Sequence, residues 1–170
     1  YIMTYDNKSL RDLSANVPYD FIYIIANTQK YGGGAIYNHY GISISGNLHA
    51  AKVYVHEFGH LFLGLGDEYV EVGSSYNDMY PTNVEPWEAN LTTLTNFNKK
   101  WKDMLDKDTP VPTTYDPQNP KKLGAYEGGG YVSKGVYRPR YDCLMNTLSG
   151  NDFCPVCTRA IKKQIDFYTR

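Results

Sequence analysis

The pattern of apolar and polar positions predicts strands followed by a helix in the first part of the chain. Tyr19–Asn27 (YDFIYIIAN) is β-rich and almost continuously apolar, which is typical of a buried strand. Tyr40–Ser45 (YGISIS) alternates apolar and small polar residues, as a half-exposed strand does. From about Asn47, apolar residues recur at the i, i+3, i+4, i+7 spacing of a helix, and Gly64 is the predicted stop.

Two shorter segments surround the first strand. Leu10 and Leu13 have helix-like spacing in a stretch that ends before Pro18. The glycine run in KYGGGA (residues 30–35) predicts a mobile loop.

The second half of the chain is predicted to be richer in loops. Phe97, Trp101 and Leu105 stand four residues apart in TNFNKKWKDML and predict a helix. Prolines and glycines between Asp106 and Gly130 predict a long irregular segment. The last stretch, DFCPVCTRAIKKQIDFY, predicts a helix with Pro155 in its first turn. Its buried side is predicted from the spacing of Ile161, Ile165 and Tyr168. The combined pattern predicts the α+β class.

Composition indicates a single globular domain. The chain has 170 residues, of which 42% are apolar and 21% charged, enough to bury a core. Its formal net charge is −1, which gives no electrostatic reason to expect nucleic acid or an anionic membrane as partner. Its apolar runs are shorter than the ~20 residues that a membrane span needs. We expect a monomer.

Cys143, Cys154 and Cys157 lie close together near the end of the chain. An odd count allows one disulfide and one free thiol, and the close grouping predicts a local crosslink. Cysteine pairing of this kind favours an oxidising compartment.

The segment HEFGHLFLGLGDEY (residues 56–69) contains the strongest chemical signal. A helix places residues i and i+4 on one face, so His56 and His60 are positioned to bind one Zn²⁺. Glu57 stands beside them, where a carboxylate can accept a proton from zinc-bound water. The other two histidines, His39 and His49, are predicted to be surface or capping residues.

A catalytic zinc needs a third protein ligand and an open position. The spacing here resembles the metzincin pattern, in which the helix ends at a glycine and a ligand follows three residues later. Asp67 stands at that distance from Gly64 and is the favoured ligand, with Glu68 as the near alternative. A more distant acid, Glu85 or Glu88, would suit a thermolysin-like arrangement.

Three ordered motifs resemble the IgA peptidase family of secreted bacterial zinc metalloendopeptidases, which are related to the metzincins. The motifs are HEFGHLFLGLGDEY, AYEGGGYVSKGVYRPRYDCLMN and FCPVC, and the resemblance extends from about Tyr19 to the C-terminus. The founding activity of the family is cleavage in the proline-rich hinge of immunoglobulin A. The resemblance implies a zincin-like fold: a small twisted mixed sheet with the active-site helix, then a loop-rich part with a methionine turn and a C-terminal helix.

The resemblance also implies roles for individual residues. His56, His60 and Asp67 would bind the zinc ion, and Glu57 would be the general base. Met145 would form the apolar floor below the metal, although the residues alone favour an ordinary core methionine.

Four further expectations concern the region after Tyr126. Glu127 or Tyr131, in the glycine-rich YEGGGY, would line the substrate groove, unless the stretch is a surface loop. Arg138 is expected to pair with a structural acid, with binding of a substrate carboxylate as the alternative. A disulfide is expected between Cys143 and either Cys154 or Cys157. One tyrosine hydroxyl is expected to stabilise the oxyanion, and the candidates are Tyr131, Tyr137 and Tyr141.

The predicted organisation is one catalytic domain with an upper sheet-and-helix part, residues 1–66, and a lower part, residues 67–170. Related domains have another strand and helix ahead of the strand at Tyr19–Asn27. We therefore interpret the chain as a fragment without that strand and without its signal peptide. Localisation is predicted to be secreted, cell-surface or periplasmic, in a bacterium.

The predicted function is zinc-dependent cleavage of extracellular proteins or glycoproteins, with an immunoglobulin A hinge as a candidate substrate. The substrate is expected to bind in extended form, as an added strand along Tyr40–Ser45. The alternative is a zinc-containing module that binds glycoprotein or polysaccharide without cutting it. A structural zinc domain would require a fourth protein ligand, and the sequence offers no candidate: the three cysteines have no histidine nearby to complete the set. One catalytic Zn²⁺ is predicted, and nothing in the sequence indicates a structural Ca²⁺.

Overall fold

The computed structural model describes residues 2–71, 73, 79–149 and 152–170. The chain forms two compact units, Tyr1–Gly64 and Leu65–Arg170, here called the first and second units. The first unit contains helix α1, three strands and the long helix α2. Their bounds are Asn7–Ser14 for α1, Tyr23–Ala26 for β1, Gly33–Ile36 for β2, Tyr40–Ile44 for β3 and Ala50–Leu63 for α2.

The three strands of the first unit form a mixed sheet in the order β1-β3-β2. β3 is parallel to β1 and antiparallel to β2, so it is the central strand. All five of its residues are buried, and the prediction of a half-exposed strand at Tyr40–Ser45 is therefore wrong. A Cβ on Gly41 would lie 2.7 Å from the ring of Tyr23, so close packing of the sheet explains the small residue there.

Two more predictions for this sheet need correction. β1 lies where the apolar run predicted a strand, but it is shorter, and Ile25 is 61% exposed because β1 is an edge strand. The glycine run was predicted as a loop. Instead Gly33 and Gly34 belong to β2, opposite Ser43 and Ile42 of β3. Pairing with the neighbouring strand β3 outweighs the low β-propensity of the glycines.

The helices of the first unit agree with the sequence pattern. Asp6 caps α1, since its side chain accepts a hydrogen bond from Ser9 N, and α1 ends before Pro18. α2 ends at Gly64, which adopts the left-handed conformation with φ 59°. The buried side of α2 includes Val53, Glu57 and Leu61.

The second unit contains a two-stranded sheet and one long helix. Its strands are β4, Tyr126–Gly129, and β5, Val132–Arg138, and its helix is α3, Pro155–Tyr168. The predicted helix around Trp101 is absent: two short 3₁₀ turns, Phe97–Lys99 and Lys102–Met104, replace it. Trp101 is fully buried and donates a hydrogen bond of 2.7 Å to Gly124 O, so tertiary contacts determine the local conformation.

The glycine-rich YEGGGY stretch forms part of a β-hairpin instead of a surface loop. β4 pairs antiparallel with β5, and Gly129 lies opposite Val132. Between them, Gly130 and Tyr131 both have positive φ, 58° and 71°, as a two-residue hairpin turn requires. The turn therefore holds Tyr131 in a conformation that is strained for a tyrosine.

α3 begins at Pro155 as predicted, but its buried side differs from the prediction. The buried residues are Val156 and Cys157 in the first turn. Ile165 and Tyr168 are 46% and 45% exposed, because the second unit covers only the start of the helix. Among the described residues, no helix is long and apolar enough to cross a membrane.

Candidate metal centre and active site

His56 and His60 lie on one face of α2, one turn apart. Their Nε2 atoms are 3.1 Å apart, and the two rings are nearly perpendicular, at 83°. Two nitrogens that bind one tetrahedral Zn²⁺ at about 2.05 Å are separated by about 3.3 Å. The half-buried pair therefore fits a shared metal ion.

Glu57 lies on the side of α2 that faces the sheet and is 9% exposed. It packs against β2 at Gly33, where there is no space for a side chain. A Cβ on Gly33 would lie 2.7 Å from Glu57 Oε1 and 2.8 Å from Val53 Cγ1. Gly33 thus makes room for the carboxylate. The glycine run is the sequence feature that reflects this close packing of Glu57 against β2. Its pattern alone predicts a loop.

Asp67 lies in the second unit, three residues beyond Gly64. It is 5% exposed, and the hydroxyl of Tyr131 donates a short hydrogen bond to its Oδ2. Its own carbonyl accepts a hydrogen bond of 2.8 Å from Gly130 N. The hairpin turn therefore holds both the backbone and the carboxylate of Asp67.

The other candidate third ligands have partners within the second unit. Glu68 is fully buried, and its Oε1 accepts a hydrogen bond of 2.9 Å from Asn90. Burial raises the pKa of the Glu68 carboxyl well above its usual range. Glu85 Oε2 accepts from Asn96 N at 2.8 Å. Glu88 Oε1 accepts from the Tyr80 hydroxyl at 2.9 Å.

Met145 is fully buried in the second unit, and its carbonyl accepts a hydrogen bond of 2.8 Å from Glu68 N. The turn that contains Met145 is thereby fixed to the segment that contains Asp67. This placement agrees with a packing role for Met145.

Glu127 and Arg138 form hydrogen bonds with the backbone of the hairpin. Glu127 is exposed, and its Oε1 accepts from Gly135 N at 3.1 Å. Arg138 is 8% exposed and donates to the carbonyls of Glu127 and Gly128, at 3.2 and 2.6 Å. The hydrogen-bond partners of Arg138 are therefore backbone carbonyls. The prediction was a pair with a structural acid. Burial lowers the pKa of Arg138, and the nearby Glu68 charge opposes that effect.

The three candidate tyrosines have different partners. Tyr131 bonds to Asp67, as described above. The Tyr141 ring stacks on Tyr115 with 3.7 Å between centroids. Burial raises the pKa of Tyr137, and a hydrogen bond with Glu127 adds to the effect.

The cysteines do not form the expected disulfide. Cys143, Cys154 and Cys157 are all free and buried. Sγ of Cys157 lies 3.8 Å from that of Cys143 and 3.5 Å from that of Cys154. Hydrogen bonds with Cys143 and Cys157 lower the pKa of the Cys154 thiol.

The remaining histidines are outside the α2 pair. His39 lies in the turn between β2 and β3, and its Nδ1 is 2.6 Å from Nη2 of Arg11. His49 is the exposed N-cap residue of α2, without a side-chain capping bond. Their positions in a turn and at a helix start agree with the prediction.

A helical His-Glu-x-x-His segment that pairs two histidine nitrogens defines a candidate metallohydrolase site. The family model described as IgA Peptidase M64 matches residues 1–119 and 114–165. The chain belongs to this family and is therefore a peptidase, of a family of metallopeptidases. Comparison with curated proteins gives no significant match.

Proposed function

We propose that this chain is a zinc-dependent endopeptidase in which His56, His60 and Asp67 bind the metal and Glu57 is the general base. The observation that supports this most directly is the 3.1 Å separation of the two histidine Nε2 atoms on α2, in a chain that belongs to a peptidase family. Glu57, next to His56 in sequence, provides the carboxylate that peptide hydrolysis requires.

Asp67 is the third ligand in this proposal for two reasons. Only six residues separate it from His60, so the chain has the length to bring both to one ion. Its carboxylate is buried and oriented by Tyr131, whereas the carboxylate of Glu68 is bonded to Asn90. A hydrogen-bonded carboxylate is typical of metal ligands, because the bond fixes its orientation.

Glu57 accepts a proton from the attacking water and then delivers it to the amine that leaves. When bound, a zinc ion lowers the pKa of water and polarises the scissile carbonyl. The burial of Glu57 against β2 restricts its rotamers, so the base is held in place before the substrate arrives.

The substrate is proposed to bind in extended form beside β2, not beside β3. β3 has a neighbouring strand on each side, so its backbone groups are used. β2 is an edge strand, so an extended substrate can pair with its outer side. Ile2 N already donates a hydrogen bond of 3.2 Å to Gly33 O there, and the substrate would replace that bond or pair elsewhere along β2. Extracellular proteins or glycoproteins are the proposed substrate class, with an immunoglobulin A hinge as one member, and the protein is proposed to act as a secreted monomer.

A cleavage assay with and without a chelator tests the proposal. Casein and a proline-rich hinge peptide are incubated with the chain, with the chelated chain, and with the chelated chain after zinc is restored. We expect cleavage at internal bonds, loss with the chelator and recovery with zinc. Binding of a glycopeptide without cleavage under all three conditions would instead favour the zinc-containing binding module.

A further inference from the structure

We propose that Cys143, Cys154, Cys157 and Glu68 bind a second zinc ion, which has a structural role in the second unit. This site is separate from the histidine pair and does not depend on the proposed function. Its four ligand atoms, three Sγ and one carboxylate oxygen, all lie within 4.8 Å of one another, and all four residues are buried.

The distances between the ligand atoms fit a tetrahedral zinc site. Two sulfurs bound to one Zn²⁺ at about 2.3 Å lie about 3.8 Å apart, and a sulfur and an oxygen lie about 3.5 Å apart. The Cys157 sulfur is 3.8 Å from that of Cys143, 3.5 Å from that of Cys154 and 3.5 Å from Glu68 Oε1. A disulfide would need about 2.05 Å between sulfurs.

Glu68 supplies an independent indication that the cluster binds a cation. Its side chain is fully buried, yet Oε2 has no hydrogen-bond partner in the described part of the chain. A buried carboxylate oxygen without a partner is costly, so such a group needs an explanation. A metal ion in the cluster removes that cost if the carboxylate binds it through Oε2 or through both oxygens.

The backbone around the cysteines supports thiolate ligands. Cys154 N donates to Cys143 Sγ at 3.2 Å, and Cys157 N donates to Cys154 Sγ at 3.5 Å. The second contact comes from the first turn of α3, where Cys-Pro-Val-Cys places two sulfurs on one side. Backbone N–H groups that point at sulfur stabilise its negative charge, as in other metal–thiolate sites.

Two buried arginines offset part of the charge of the site, although one of them, Arg140, also forms an ion pair of 3.2 Å with Asp152. Three thiolates and one carboxylate around a divalent ion leave a net charge of about −2. Arg138 and Arg140 are 8% and 5% exposed. Arg138 interacts electrostatically with Glu68, and Arg140 with Cys143 and Cys154.

A zinc ion here would connect three segments of the second unit. Glu68 follows Asp67, Cys143 precedes Met145 by two residues, and Cys154 and Cys157 begin α3. The ion would thus hold the Asp67 segment, the methionine turn and the last helix together.

Metal analysis of a His56→Ala/His60→Ala double variant tests the inference, because this variant lacks the histidine ligands. We expect it to retain about one zinc ion per chain. Adding Glu68→Ala should remove most of that zinc. Adding Glu88→Gln, which changes a buried acid outside the cluster, should leave it in place. A double variant without zinc would overturn the proposal.

Two measurements on the unmodified chain remain informative if a variant fails to fold. With Co²⁺ in place of zinc, we expect a sulfur-to-cobalt charge-transfer absorption, and a mercurial thiol reagent should release about one ion for every three thiols modified. A spectrum with only nitrogen and oxygen ligands, or a disulfide found by mass spectrometry in the folded chain, would refute the site. Neither outcome depends on whether the chain cleaves peptides.

Discussion

The backbone N–H of Glu68 donates a hydrogen bond of 2.8 Å to the carbonyl oxygen of Met145. This bond joins the segment after α2 to the turn that contains Met145. The side chains of the neighbouring acids Asp67 and Glu68 accept hydrogen bonds from different partners. Asp67 accepts from Tyr131, and Glu68 accepts from Asn90 and lies beside Cys157. Two neighbouring acids are therefore assigned to two separate metal sites in our proposals.

Glu57→Gln tests the general base. The amide has nearly the same shape as the carboxylate but cannot accept the proton from water, so kcat should fall by about 10²- to 10⁴-fold. Zinc content should not change, because Glu57 is not a ligand. Asp166→Asn, at an exposed acid near the end of α3, is the matched control and should keep full activity. Undiminished cleavage by the Glu57 variant would refute its assigned role.

Asp67→Ala tests the third ligand. Total zinc should fall by about one ion per chain, since two histidines alone bind zinc weakly. Activity should be lost with it. If the variant keeps its full zinc content and its activity, the ligand is a different residue, and Glu85→Ala and Glu88→Ala become the next variants to analyse.

Tyr131→Phe tests whether the hydroxyl positions the Asp67 carboxylate. Removing a hydrogen bond to a metal ligand typically weakens metal affinity by about 10- to 100-fold. We expect that loss in a competition titration with a zinc chelator. Addition of excess zinc should restore most of kcat. A kcat that stays low at saturating zinc would instead indicate direct stabilisation of the oxyanion by Tyr131.

Tyr141→Phe is the control for Tyr131→Phe. It removes a hydroxyl but keeps the ring that stacks on Tyr115. Its zinc affinity should equal that of the unmodified chain. Equal weakening in both variants would show that the effect of Tyr131→Phe is not specific to Asp67.

Gly33→Ala tests the packing of Glu57 against β2. The new methyl group would start 2.7 Å from Glu57 Oε1, so the carboxylate must move. A displacement of this kind should lower kcat by roughly 10- to 100-fold without loss of zinc. Ala35→Ser, on the same strand, is the control and should have little effect. Normal kcat in the Gly33 variant would mean that the site tolerates the shift.

The sequence by itself predicted the local elements around the proposed active site. The spacing of His56 and His60, the stop at Gly64 and the start of α3 at Pro155 depend on residues within a few positions of each other. Helix periodicity and capping are local effects, which is why they are readable from the sequence.

Only the tertiary structure decided which distant segments pair and pack together. It made β3 the central strand, placed Gly33 of β2 against Glu57, and brought Glu68 within 3.5 Å of Cys157, 89 positions away. The order of strands and the partners of buried polar groups depend on contacts between remote parts of the chain. Local periodicity contains no information about those contacts, because many pairings satisfy the same apolar pattern.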